Sequence, residues 1–165
     1  MAPMNWLQRN AWWGLVAIAA VLVIFGAVDV ASGAAADPAI PLGLTGLTLD
    51  ELRAEDSIGL ELFDFMTRVN GWSLVLLGGL LAVILLVPFR RGERWAWWTM
   101  WSIPAWSIGA ALFYVVAGVQ PDVPPPPPMV SGPILAVVSA AILLLSAPRF
   151  FRGELAEGNA RPDRD

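Results

Sequence analysis

Apolar residues gather into four runs along this chain, and polar segments of unequal length separate them. The runs cover about residues 11–30, 71–89, 95–119 and 129–148. Each approaches the ~20 residues that a helix needs to cross a hydrocarbon core ~30 Å thick. None alternates with period two, as the short strands of an outer-membrane barrel would. In lipid every backbone N–H and C=O must be paired within its own segment, so these runs predict helices. The fold class predicted is an all-α membrane protein, a four-transmembrane-helix bundle. Residues 1–10 precede the bundle, residues 11–148 form it, and residues 149–165 read as a disordered, charged tail.

The first run admits a second reading. Arg9, the apolar stretch and Ala34-Ala35-Ala36 together fit a cleavable secretory signal. The apolar stretch is about 18–20 residues, longer than the usual ~7–15, and Trp12 and Trp13 stand at its start. Both features favour a retained helix.

Between the first two runs, residues 31–70 change pattern twice. Residues 32–47 are rich in Gly, Pro and Ala and read as an extended linker or loop. Thr48-Leu49-Asp50-Glu51 then matches a capping box, in which the Thr hydroxyl and the Glu carboxylate satisfy free N–H groups at a helix start. From Ile58 onward, Ile58, Leu62, Phe65, Met66 and Val69 recur at helical spacing, with Glu61, Asp64 and Arg68 on the other side. This predicts a short amphipathic helix that leads into the second span and either caps the mouth of the bundle or lies along the leaflet.

Charge orients the bundle. Arg9, Arg90, Arg91, Arg94, Arg149, Arg152, Arg161 and Arg164 fall on one side, against Arg53 and Arg68 on the other. Eight basic residues against two place both termini in the cytoplasm and residues 31–70 outside it, in a bacterial inner membrane. Trp6, Trp12, Trp13, Trp95, Trp97 and Trp98 fall near the basic interface, as an aromatic belt would.

Composition agrees with the pattern. Hydrophobic residues make up 57% of the 165-residue chain and charged residues 15%, against about 45–50% and about 25% in soluble domains. A net charge of −4 gives no reason to expect a nucleic-acid partner. Cys, His and Lys are absent, which removes thiol nucleophiles, the commonest general base and the commonest metal ligands. No phosphate-binding loop, nucleophile elbow or metal-ligand spacing stands in the sequence. The expectation is a protein without catalytic residues, metal or cofactor.

Two groups of residues remain as candidates. Glu61, Asp64, Arg68, Asn70 and Tyr114 fall near the outer mouth and form a polar cluster there. Trp101, Pro104 and Trp106 lie within the third span, where Pro104 should kink the helix and open an apolar pocket. Ser102 and Ser107 stand close enough in sequence to pair with the freed carbonyl. Gly78/Ala82, Ala105/Gly109 and Ala136/Ala140 are small-residue pairs that permit close helix approach. Pro124 to Pro128 predict a stiff polyproline strut.

Arg68-Val69-Asn70-Gly71 leads into a Gly-containing second span, and the basic-aromatic turn from Pro88 to Trp98 follows it. On these residues the layout resembles small four-helix bacterial membrane proteins of the DoxX-like kind. The resemblance implies a loose association with redox or quinone complexes and carries no cofactor-binding position over to this chain. Two functional readings follow from the residues. The first is a non-catalytic accessory or interaction subunit, partnered by the bilayer and by other membrane subunits or copies of itself. The second is a small protein that binds a lipid or other apolar ligand in a pocket opening to the extracytoplasmic side.

Overall fold

In the computed structural model, residues 6, 10–120 and 122–151 are described. The predicted tail beyond Phe151 lies outside them, as do Arg9, Arg152, Arg161 and Arg164. The chain is an all-α protein. Among the described residues four helical stretches are long and apolar enough to cross a membrane: Trp12–Ala36, Ser57–Phe89, Arg94–Ala117 and Pro127–Phe151. In chain order the elements are α1 (Trp12–Ser32), followed by a 3-10 turn at Gly33–Ala36; α2 (Ala39–Thr45) and α3 (Leu49–Glu55), both between the first two stretches; α4 (Ser57–Ile84), widening into a π turn at Leu85–Phe89; α5 (Arg94–Met100); α6 (Ser102–Ala117); and α7 (Pro127–Ser146).

Proline explains two irregularities. Pro88 has no N–H, and its ring crowds the carbonyl four residues back, at Ile84. The chain accommodates it by widening into the π turn. Pro104 does the same to the Met100 carbonyl, and the third helix breaks at Trp101, between α5 and α6. The serines do not repair this break: Ser107 donates instead to the Ile103 carbonyl, at 2.8 Å. At Pro127 the predicted polyproline strut is cut short, because Pro127 and Pro128 open α7. Proline suits a first helical turn, whose N–H groups have no partner within the helix.

α1 packs chiefly on α4, and small residues make that possible. Ala19 and Gly26 are seven apart on α1, as are Gly71 and Gly78 on α4. Gly26 faces Gly71, and Gly78 faces the Ala19 carbonyl. Without side chains between them the two backbones come into contact, which suits a bilayer interior, where packing rather than water exclusion joins helices. Gly132 gives α7 the same approach to α6 at Ser107. Of the small-residue pairs named from sequence, Gly78 and Ala136 lie in packed faces, while a side chain at Gly109 would meet open space.

The large apolar core sits toward the end that carries Arg90, Arg91, Arg94 and Arg149. Leu15, Leu85, Phe89, Met100 and Leu143 are fully buried there. Phe89 meets Phe150 edge-on at 4.8 Å, and Trp97 meets Phe151 at 5.1 Å. The indole N–H of Trp97 donates to the Leu143 carbonyl at 3.0 Å. Trp12 and Trp97 are therefore core residues and not members of a belt, whereas Trp6, Trp13, Trp95 and Trp98 are exposed. The outward faces of the long helices carry Ile24, Phe25, Leu80, Phe113 and Val116, all exposed.

At the opposite, acidic end the helices are joined by a cover of short elements. The Gly43 carbonyl accepts from the Gln120 N–H at 2.8 Å, and Pro126 fills the space over Gly43. The cover is therefore tied across to the α6–α7 connection.

Candidate functional site

The acidic end is organised by one turn. At the C-terminus of α1, Gly33 takes φ +56°, a conformation that L side chains rarely adopt. A side chain there would also strike the Asp64 carboxylate. Arg68 lies four residues after Asp64 on α4, and its Nε donates to Asp64 Oδ2 at 2.7 Å. The same guanidinium donates to the carbonyls of Val30, at 2.6 Å, and Ala31, at 3.1 Å. Asp64 Oδ1 accepts the Ala34 N–H at 2.9 Å. One ion pair thus satisfies carbonyls before the turn and an amide after it. A cation at a helix C-terminus also complements the helix dipole.

Two clefts flank this clamp. The larger, about 390 Å³, lies between the 3-10 turn, α3 and α4; its walls include Ser32, Leu49, Arg53, Leu60, Glu61 and Asp64. The second, about 250 Å³, is formed where α1, α2, α4 and α6 meet. Asp29, Asp37, Thr67, Asn70 and Tyr114 supply its polar groups, and Ala34, Ile40, Phe63 and Met66 its apolar ones. Asn70 and Asp29 lie side by side in this cleft. Burial pushes the Asp37 carboxyl above its ordinary value, although the Ala39 N–H donates to it at 3.2 Å and works the other way. No basic side chain lines this second cleft. Its chemistry is that of a hydrogen-bonding, negatively charged floor beside an apolar wall, which suits a neutral or cationic polar head attached to an apolar body.

Sequence matches the chain to no family model, and no curated protein or solved structure gives a significant match. The functional reading therefore rests on the geometry.

The structure distributes the candidates over several places. Asn70 and Tyr114 come together in the second cleft, while Glu61 and Asp64 line the first. Arg68 is engaged with Asp64 and the end of α1. Trp101, Pro104 and Trp106 line neither cleft. Trp101 packs on Trp97, with ring centres 5.7 Å apart, Pro104 is buried, and Trp106 faces outward. The Pro104 break shapes the basic end, away from both clefts.

Asp29, Asp37, Thr67 and Phe63 are the residues that sequence reasoning did not select. Asp29 carried a signal, as the sole charge in the first apolar run. Asp37 sits in a Gly/Pro/Ala-rich loop, where nothing in spacing marks it as facing Tyr114.

The amphipathic stretch is also arranged differently from a cap. Ile58, Leu62, Phe65, Met66 and Val69 are exposed, and the face turned inward carries Leu60, Phe63, Asp64 and Thr67. α3 carries the full capping box: the Thr48 N–H donates to Glu51 at 2.8 Å, and the Glu51 N–H donates to the Thr48 hydroxyl at 3.3 Å. The Thr48 N–H, and the Thr48 hydroxyl at 2.7 Å, both donate to the Glu51 carboxylate and hold it below its ordinary value.

Proposed function

We propose that this chain is a non-catalytic, multi-pass membrane protein that holds an amphiphile at the extracytoplasmic mouth of its bundle. The observation that carries the reading is the contrast between the two ends. The basic end is filled with interlocking large side chains, whereas the acidic end opens into the cleft of Asp29, Asp37, Asn70 and Tyr114. In this reading the polar head lies among those four residues, and the apolar body runs along Phe63 and Met66 toward the exposed stripe of α4. The stretch Ser57–Phe89, α4 with its π turn, spans about 50 Å at ~1.5 Å per residue and is longer than the ~30 Å hydrocarbon core. Its outward apolar stripe therefore suits the outer leaflet. The excess of arginine at the other end supports an inner membrane with cytoplasmic termini. The close seat of α1 on α4 supports a retained first helix.

Native mass spectrometry of protein extracted in mild detergent tests this. Wild type should carry an apolar ligand, Thr67→Trp should lose it by filling the cleft, and Trp106→Ala should keep it. Equal occupancy in wild type and Thr67→Trp would overturn the reading.

A second reading, an accessory subunit that associates through its helices, is favoured by one face of α6. Ala105 and Gly109 lie there with nothing over Gly109. Gly109→Leu should then break a defined oligomer seen in mild detergent. A monomer in both proteins would count against this reading.

A further inference from the structure

The basic end holds a feature that the cleft does not use. The second long helix runs out at Arg90 and Arg91, both exposed. The continuation of α7 brings Arg149 alongside, where its guanidinium donates to the Arg90 carbonyl. Arg90 and Arg91 at the end of one segment and Arg149 on another thus lie at one edge of the basic end. Among the described residues no carboxylate pairs with any of the three; the ion pairs Arg53–Asp50 and Arg68–Asp64 belong to the opposite end. Glu93, the acid of the same turn, accepts the Trp95 indole N–H at 2.6 Å.

Like charges gathered without a counter-anion repel one another, and guanidinium forks are shaped for phosphate oxygens. Exposed Trp13, Trp95 and Trp98 stand at this same end, and such rings favour headgroup depth in a bilayer. At that depth the abundant anion is a lipid phosphate. We infer that Arg90, Arg91 and Arg149 form a binding site for the phosphate of an anionic phospholipid headgroup. This inference rests on the reading of the chain as membrane-spanning and is independent of the cleft at the other end.

The full-length protein should be equilibrated with vesicles of equal phosphatidylglycerol and phosphatidylcholine, and its bound lipid read by native mass spectrometry. Wild type should retain phosphatidylglycerol preferentially. The double substitution Arg90→Gln/Arg91→Gln should reduce that preference about 25-fold, taking about fivefold for each charge near the surface. Arg53→Gln, at the acidic end, should leave it unchanged. Should the double variant fail to assemble, Arg149→Gln alone should show a loss of about fivefold. Inorganic phosphate in millimolar excess should not displace the lipid. An undiminished preference in the arginine variants, an equal loss in Arg53→Gln, or displacement by inorganic phosphate would each overturn the inference.

Discussion

Replacing Gly71 by alanine tests the contact that joins the two largest helices. A Cβ at this position would lie 2.5 Å from the Asp29 Cβ, 2.6 Å from the Gly26 carbonyl oxygen and 2.8 Å from the Val30 nitrogen. Ordinary carbon contacts are about 3.5–4.0 Å, so α1 would have to recede by about 1 Å. Two of the three atoms are backbone, and no side chain can swing aside to make room. Overpacking costs about 1–3 kcal/mol, and rigid neighbours place this case near the top of that range. Alanine is the better helix former by about 1 kcal/mol, which offsets part of the cost. The net loss should be about 2 kcal/mol. Gly79, one residue from Gly78 on the same helix, has nothing within 4 Å of such a Cβ. Gly79→Ala should therefore be neutral or more stable by about 0.5–1 kcal/mol. Both can be measured on protein in mild detergent, unfolded stepwise with dodecyl sulfate and followed by circular dichroism. If Gly71→Ala matches or exceeds wild type, as Gly79→Ala should, the backbones of α1 and α4 do not touch.

Other perturbations probe separate parts of the structure. Trp97→Phe removes a buried hydrogen bond but should cost only about 0.6 kcal/mol beyond lost packing, because the Leu143 carbonyl also accepts from Ser146 and Ala147. Arg68→Gln should leave the bundle assembled yet speed amide hydrogen exchange around the Gly33 turn, since the clamp on the Val30 and Ala31 carbonyls is gone. Unchanged exchange at Ala34 would contradict the clamp. Acid acts in opposite senses on two carboxylates of the acidic end. The raised Asp37 keeps its proton in the folded state where the unfolded chain has lost it, so its share of stability falls as pH rises through that window. The lowered Glu51 contributes stability above its ordinary value and loses it as pH falls through the folded one. Melting curves of Asp37→Asn and Glu51→Gln against pH should each lose the corresponding slope.

The four helices were legible because lipid imposes one rule on every residue of a span: apolar side chains outside and backbone pairs within. The capping box at Thr48 and Glu51 was equally plain, since both partners lie within one turn. What could not be read was contact between segments distant in sequence. Gly26 and Gly71 are ordinary small residues until an antiparallel pairing sets them opposite each other. Asp29 and Asp37 share a cleft only because Gly33 turns the chain back and α2 is tied to Gln120. Pro104 reads as disruptive from the sequence alone, and the helix does break near it. Its ring, however, acts on the carbonyl four residues earlier, so the break falls at Trp101 and toward the basic end, away from the mouth where a pocket was expected. The aromatic count misplaced Trp12 and Trp97 for a related reason. Position near an interface does not reveal which side of the helix faces the core.

The central claim is that the four helices cross a membrane with the cleft-bearing end outside, and the absence of cysteine allows a direct test. Single substitutions Ala54→Cys in α3 and Glu93→Cys in the basic turn can be treated in intact cells with a membrane-impermeant maleimide. Labelling of Ala54→Cys at once, and of Glu93→Cys only after the membrane is permeabilised, is the result predicted. Labelling of Glu93→Cys in intact cells, or protection of Ala54→Cys there, would contradict the account.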